Sequence, residues 1–507
     1  MKKMLCFVIT LLVIITCSPS VLTSGEEIRT NDAVKAFTFS DVNRVRGSVG
    51  IKFKSDVPAS RVYEILQSLC LRAYKTRSAD SVAEKIDYNS RYTVQEINVP
   101  DEYVADTVLK ARTYTEVVCA EPGYVWHPDT AMELEDYPEY SYDPGLPGQT
   151  NSLWHLQKIK AKEAWDYGFA GSDSVKVAVL DTGYKYHSDV DDHIAHSLAY
   201  NVIDNSTNVT DSNGHGTFIA GIIGAMINDA GINGICPNVS IIPIKVYDGT
   251  NNSINVRIAR GVEEANILGA TVANVSFMCA AEWNGYGLLT SAISDFGKLV
   301  VFSAGNGETN LTNDSNNTGK VNDYPNWVLV GSSNINDQRS YYSNYNSTYV
   351  DLFAPGEGVY SLNLSGGYSS ESGTSFAAPM VTAAVALIAA KATHLTPIQI
   401  KQYLIDNVTP VDGFDQLCVA GGILNISATV LALYNENRGA YSRGDVNGNG
   451  TIDPNDYLIA KRAYLGTYTP TAAEIDIMDI NRNGVVDSND YLYIQRYYFR
   501  TYYFPPV

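Results

Sequence analysis

Between about residues 150 and 435 the chain repeats one pattern: a short continuous apolar run, a polar break, then a longer stretch with helical spacing. The runs "VKVAVLD", "SIIPIKVY", "GATVANVSF", "KLVVFSAG" and "NWVLVGSS" do not alternate apolar with polar residues, so each reads as a strand buried on both faces. "HGTFIAGIIGAM" and "NVRIARGVEEANILG" read as helices. Strands alternating with helices predict an α/β fold, a mainly parallel sheet between two helical layers. Functional groups in such sheets collect at the C-terminal ends of strands. Asp181 ends one of these runs and Asn306 follows another.

The pattern changes on either side. Residues 25–128 form a smaller α/β unit: "GSVGIKFK", "RYTVQEINV" and "TEVVCAEPGYVW" read as strands, with helical spacing near 58–70 and 101–112. Residues 129–149 are acidic, rich in Pro, Gly and Tyr, and without apolar periodicity, which predicts an exposed, protease-sensitive connector. From 443 to 507 the chain repeats itself: "DVNGNGTIDPNDYL" begins at Asp445 and "DINRNGVVDSNDYL" at Asp479. The first 24 residues place Lys2 and Lys3 before an apolar core from Met4 to Thr16, then small polar residues. This is the layout of a secretory leader, and it predicts export; a lipid-modified Cys17 is the competing reading. No later segment reaches the ~18 uninterrupted apolar residues of a membrane span.

A net charge of −19 without Lys or Arg clusters argues against nucleic acid as a partner. Outside the leader there are five cysteines, Cys70, Cys119, Cys236, Cys279 and Cys418. Their odd number and lack of metal-type spacing read as small buried apolar residues rather than a disulfide framework.

Four short motifs carry candidate chemistry: Asp181 in "AVLDTG", His215 in "NGHGT", Asn306 in "SAGNG" and Ser375 in "GTSFAAP". Singly, each has a plain explanation as a cap, a packed histidine or a turn. Together they supply what acyl transfer by a serine requires: a nucleophile, a base, a carboxylate to orient the base, and an oxyanion donor. In this order and spacing, residues 150–400 resemble the subtilisin-like serine proteases. The resemblance implies that Asp181 orients His215, that His215 takes the proton of Ser375, and that Asn306 and the Ser375 N–H hold the oxyanion. It also implies that Ser276, Phe277, Met278 and Gly305 line the substrate cleft. Met278 stands where the family usually has glycine, so no side-chain preference carries over. Asp189 and Asn228 fall where that family often binds calcium, with ordinary loop capping as the alternative. Residues 25–128 then resemble the family's inhibitory propeptide, which implies self-cleavage between about residues 127 and 150.

Each tail repeat has the spacing of an EF-hand loop, with oxygens at positions 1, 3, 5, 7, 9 and 12 and Gly at 6. The first offers Asp445, Asn447, Asn449, Thr451 (by its carbonyl), Asp453 and Asp456; the second offers Asp479, Asn481, Asn483, Val485 (by its carbonyl), Asp487 and Asp490. The paired loops, each leading into a "YL" helix, resemble a small all-α dockerin. That resemblance implies Ca2+ and a cohesin domain on a bacterial scaffoldin as partner. The expected protein is therefore a secreted serine endopeptidase held in a multi-enzyme complex. A scaffold-bound protein that no longer cuts and a calcium-binding surface protein are the other classes.

Overall fold

The apolar runs become neighbouring strands of one sheet in the computed structural model. It describes residues 44–124, 127–128, 153–228, 231–249, 254–278, 287–311, 324–437, 444–447, 452–481 and 483–498. The expected leader and connector lie outside these residues. Ser40–Val507 forms one compact unit.

In chain order, the first part comprises β1 (Arg44–Phe53), α1 (Ala59–Ala73), β2 (Ile86–Asp87), β3 (Val94–Asn98), α2 (Val104–Ala111), β4 (Val117–Tyr124) and β5 (His127–Pro128). The large part comprises β6 (Gly171–Asp181), β7 (Tyr200–Asn201), α3 (His215–Gly224), β8 (Asn238–Lys245), α4 (Ile254–Ile267), β9 (Val272–Val275), β10 (Phe277–Met278) and α5 (Gly287–Phe296). It continues with β11 (Leu299–Ser303), β12 (Trp327–Ser333), β13 (Leu352–Pro355), β14 (Val359–Leu362), β15 (Tyr368–Glu371), α6 (Thr374–Lys391), β16 (Thr409–Pro410) and β17 (Gly422–Ile423). The tail carries α7 (Pro454–Tyr464), α8 (Ala472–Met478) and α9 (Ser488–Tyr498).

The central sheet has nine strands in the order β16-β17-β13-β12-β11-β9-β6-β8-β7, parallel except for the β16–β17 edge. Neighbouring residues within a strand serve opposite layers. Val177 and Val179 of β6 join the core beneath α3 and α6, while Ala178 and Leu180 join the core beneath α4 and α5. Leu299 and Val301 against Val300 and Phe302 repeat this division in β11. Both faces are dry, so the strands read as unbroken apolar runs. α6 is long and apolar enough to cross a membrane, but 83% of it lies buried inside the fold as the central helix of its layer. Cys70, Cys236 and Cys418 are buried, unpaired thiols. Burial pushes Cys236 up to about 12, which keeps it an inert packing residue.

The first part folds its own antiparallel sheet, in the order β2-β3-β1-β4. That sheet rests on α4 and α5: Tyr92, Val94 and Tyr124 share one apolar core with both helices. Polar ties fix the fit. Lys52 reaches Glu263 at 2.8 Å and Asp295 at 2.9 Å, Arg91 pairs with the fully buried Glu264, and Arg260 Nη1 meets Asp87 at 2.6 Å. At the end of β4, Tyr124 N–H donates to Asn255 Oδ1 at 2.8 Å. Glu121 accepts from Gly287 N–H at 3.0 Å and Leu288 N–H at 3.3 Å, capping the start of α5.

Burial pushes the Glu121 carboxyl up to about 7, with its hydrogen bonds and Arg112 pulling the other way. A carboxyl whose pKa rises on folding holds a proton that the unfolded chain has released. Its contribution is complete below the ordinary carboxylate range and fades as pH rises through 7. In an uncleaved Ser375→Ala chain, the melting temperature of the first part should therefore fall between about pH 5 and about pH 8. Glu121→Gln should flatten that dependence; parallel pH curves for the two chains, measured by differential scanning calorimetry, would contradict it.

Candidate active site

Asp181 stands at the C-terminal end of β6, in register with Lys245 of β8. Its side chain is sealed from solvent. Thr182 N–H donates to Asp181 Oδ1 at 2.7 Å, and His215 Nδ1–H donates to the same oxygen at 2.8 Å. Thr182 Oγ1 accepts from Gly216 N–H at 2.9 Å, which ties the first turn of α3 to the strand end. Gly216 is required by contact: a Cβ there would lie 2.3 Å from the Gly183 carbonyl oxygen. Lys245 Nζ then donates to the carbonyls of Thr182 and Thr210, both at 2.7 Å.

The loop before α3 closes on Asp211. Its carboxylate accepts from the N–H groups of Asn213 and Gly214, both at 2.9 Å, from Thr217 N–H at 3.1 Å and from Thr217 Oγ1–H at 2.7 Å. Burial opposes the charge, but these donors outweigh it and hold the group below the usual carboxylate range.

Ser375 is the second residue of α6 and fully buried. Its Oγ–H donates to the Ser276 carbonyl at 3.1 Å, and Ser276 Oγ–H returns a bond to the Ser375 carbonyl at 2.8 Å. Asn274 Nδ2 donates to Ser276 Oγ at 2.9 Å, and Thr382 Oγ1 donates to Asn274 Oδ1 at 2.9 Å, so the layer below is a closed polar chain. The His215 ring sits 5.5 Å from Phe376 and 6.2 Å from Phe277, the residues that follow Ser375 and Ser276. Aspartate, imidazole and hydroxyl thus surround one corner of the sheet.

Asn306 completes that corner. Its Oδ1 accepts from Thr374 N–H at 3.0 Å and Thr374 Oγ1–H at 2.9 Å, while Gly305 N–H donates to Thr374 Oγ1 at 3.0 Å. With the oxygen so held, Nδ2 must face the other way. It is buried and has no acceptor among the described residues. A Cβ on Gly373 would come within 3.2 Å of it, so the absent side chain keeps that donor clear.

Beside this corner, β10 forms a two-stranded ribbon with β5: Phe277 pairs with Pro128 and Met278 with His127, antiparallel. The Met278 side chain lies outside the described residues, and its effect on the cleft with it.

This chain shares extended similarity with known proteins. The profile of the Subtilase family matches residues 172–421 and that of the Dockerin type I domain matches residues 443–498. Alkaline elastase YaB of Bacillus sp. (strain YaB) is 32% identical over 307 residues, covering 59% of this chain and 77% of the relative. The Thermophilic serine proteinase of Bacillus sp. (strain AK1) is 30% identical over 399 residues, 76% of this chain and 90% of the relative. The chain belongs to the subtilase family. Fervidolysin from Fervidobacterium pennivorans, described as a keratinolytic enzyme related to subtilisin, has the same fold: TM-score 0.60, 21% identity, 78% of this chain and 62% of that one. This subtilase is accordingly a serine endopeptidase of the subtilisin family with a dockerin domain.

Two sets of residues were expected to hold calcium. In the subtilase part, Asn228 hydrogen-bonds the Asp189 carboxylate. Asp189 Oδ2 also accepts from Ile232 N–H at 2.9 Å and Tyr368 O–H at 3.3 Å, and Met226 N–H donates to the Asp189 carbonyl at 2.8 Å. A carboxylate supplied with donors in this way ties down its loop. The described residues thus bring Asp189 and Asn228 together; Asp229 and Ala230, which follow Asn228, lie outside them.

In the tail, Asp445, Asp456 and Asp490 are fully buried and Asp479 is nearly so, around a core of only Val446, Ala460, Met478, Ile480 and Ile494 with its partly buried neighbours. The two loops close alike. Asp456 accepts from Asn447 N–H at 2.9 Å and Asp453 N–H at 2.8 Å; Asp490 accepts from Asn481 N–H at 3.1 Å and Asp487 N–H at 2.8 Å. Among the described residues no three carboxylates, imidazoles or thiols converge. An EF-hand loop, however, draws much of its oxygen from amides and carbonyls. Asn449 and Thr451 lie outside the described residues. Carboxylates buried in so small a core fit a cation that offsets their charge.

Asp211, Lys245, Asn274, Thr374 and Thr382 carried no separate signal along the chain. Only Asp211, four residues before His215, could have been singled out, as a polar residue preceding a helix start. Removing it strands four donors, of which the two of Thr217 are buried. Asp211→Ala should cost about 2–4 kcal/mol, read as a lowered urea midpoint with unchanged slope, with Asp211→Asn intermediate. An unchanged midpoint for Asp211→Ala would contradict this account.

Proposed function

We propose that this subtilase is a secreted endopeptidase that cuts peptide bonds through Asp181, His215 and Ser375. The observation that carries the reading is the 2.8 Å bond from His215 to buried Asp181, beside the start of the helix that bears Ser375. Asp181 fixes the tautomer that leaves His215 Nε2 as the base, and the base accepts the Ser375 proton as Oγ attacks the substrate carbonyl. Negative charge then develops on the carbonyl oxygen. Asn306 Nδ2, the Ser375 N–H and the positive end of α6 stabilise it. His215 returns the proton to the departing amine, and water repeats the sequence on the acyl-serine. Ser276, Phe277, Met278 and Gly305 line the cleft, where β10 pairs with the substrate backbone.

The domain scheme that accompanies this reading is a leader at 1–24, an inhibitory propeptide at 25–128, a processing region at 129–149, the peptidase at 150–435 and the dockerin at 443–507. The propeptide inhibits by placing β5 against β10, where a substrate would pair. The dockerin binds Ca2+ through Asp445, Asn447, Asn449, Thr451, Asp453 and Asp456 in one loop and Asp479, Asn481, Asn483, Val485, Asp487 and Asp490 in the other. So folded, it holds the exported enzyme on a cohesin of a bacterial scaffoldin, as part of a cellulosome-like complex.

A fluorophosphonate probe should label the processed wild-type enzyme and leave Ser375→Ala unlabelled and still joined to residues 25–128. Equal labelling of both chains, or processing of the variant without added protease, would remove the proposed nucleophile. For the tail, excess chelator should abolish binding to an immobilised cohesin panel without changing the protein's mass, and added Ca2+ should restore it. Undiminished binding in chelator would overturn the calcium assignment.

A further inference from the structure

We infer that Asn344 is a positioning residue of the oxyanion site: it holds the loop that carries Asn306 and so aims the Asn306 amide at the reacting carbonyl. The inference rests on the catalytic reading above and adds to it a residue that acts only through Asn306. Asn306 lies in the loop that follows β11, and neither its N–H nor its carbonyl makes a hydrogen bond among the described residues. Thr374 fixes its side-chain oxygen, but the backbone beneath that side chain needs a hold of its own. Two residues of the loop, Gly305 and Glu308, sit at positive φ, 94° and 52°. For Glu308 that conformation is sparsely populated and persists only where the surroundings over-determine it.

Asn344, between β12 and β13, supplies that hold, and it is only 2% exposed. Its Nδ2 donates to the Ala304 carbonyl at 2.9 Å, and its own N–H donates to the Gly305 carbonyl at 2.9 Å. Its Oδ1 accepts from Gly307 N–H at 3.0 Å and from Thr309 N–H at 2.9 Å. The amide has one orientation: two N–H groups face its oxygen and a carbonyl faces its nitrogen. A Cβ on Gly307 would come within 3.3 Å of that oxygen, so the glycine lets the loop close on it. Next to Asn344, the Tyr342 carbonyl accepts from Glu308 N–H at 2.7 Å. These bonds bracket Asn306 on both sides and fix the direction in which its side chain leaves the backbone; Thr374 then sets the plane of its amide. An oxyanion donor works only if it points correctly before the charge forms, and a misplacement of about 1 Å costs up to about 10²-fold in rate. The uncharged carbonyl of the bound substrate gains less from the same donor. Loss of Asn344 therefore falls on turnover rather than on substrate binding.

The test is a double-mutant cycle on the processed enzyme, with kcat and KM read on a chromogenic peptide and active sites counted by fluorophosphonate labelling carried to completion. Asn306→Ala should lower kcat by about 10²–10³-fold, the range known for loss of one such donor in a subtilisin. Asn344→Ala should lower kcat by about 10- to 100-fold, with KM within about twofold of wild type. In the Asn306→Ala background, Asn344→Ala should change kcat by less than about twofold, because the group it aims is gone. Equal losses in both backgrounds, an unchanged kcat, or a loss confined to KM would overturn the inference and leave the triad standing. An Asn306→Ala enzyme with wild-type kcat would overturn the oxyanion assignment together with it. Should Asn344→Ala give no folded enzyme, Asn344→Asp runs the same cycle against the same criteria. It is isosteric, keeps the acceptor for Gly307 and Thr309, and loses the donor to Ala304.

Discussion

An ionised carboxylate sealed beneath a protein surface is tolerated only where donors converge on it, and Asp181 imposes that condition on the catalytic half of this subtilase. Its Oδ1 takes the Thr182 N–H and the His215 ring N–H. To deliver the second, α3 must begin at His215 and its first turn must lie against the end of β6. Thr182 Oγ1 secures that turn through Gly216, and Lys245 secures Thr182 in turn. Asp211 closes the preceding loop so that the helix starts there and nowhere else. A mechanism therefore grows out of a packing problem. The partners that hold one buried carboxylate also orient the His215 ring.

The neighbouring face solves a different problem. α4 and α5 turn apolar residues toward the first part of the chain, and Tyr92, Val94 and Tyr124 cover them. Area of that kind supplies adhesion without direction. Direction comes from charged ties that meet only in one alignment: Lys52 with Glu263 and Asp295, Arg91 with Glu264, Arg260 with Asp87. Pairs this deeply set contribute little net stability after desolvation. Misplacing any of them leaves a buried charge alone, which is costly. The interface thus favours one register strongly over its neighbours.

Much of this was legible in the sequence, because several demands are local. A strand buried on both faces must be apolar throughout, and the runs ending at Asp181 and preceding Asn306 announce themselves for that reason. His215 stands beside a glycine because a backbone passes close at Gly216, and Gly373, two residues before Ser375, leaves room for the Asn306 side chain. What stayed hidden is polar and remote along the chain. The link from Thr382 through Asn274 and Ser276 to Ser375 joins α6 to the end of β9, and no spacing rule marks it. The β14–β15 hairpin escaped notice because its strands are short and only partly apolar. Asp189 and Asn228, matched by position, meet in one loop, where they are joined to each other and to nearby donors.

The tail turns the argument about buried charge around. Asp181 finds two donors for Oδ1 within the chain, while its Oδ2 is buried with no partner among the described residues. Asp456 and Asp490 accept backbone N–H groups too, but burial still raises both above the usual carboxylate range, with further aspartates of the same loops adding repulsion. Among the described residues of the tail, five buried apolar side chains are a small core against which to balance such groups in two loops. A divalent cation in each loop would replace repulsion with attraction and would supply stability that the apolar contacts do not. The two loops close through matching hydrogen bonds, although α7 opens on Pro454 and α9 on Ser488. The arrangement that buries the carboxylates is thus common to both repeats.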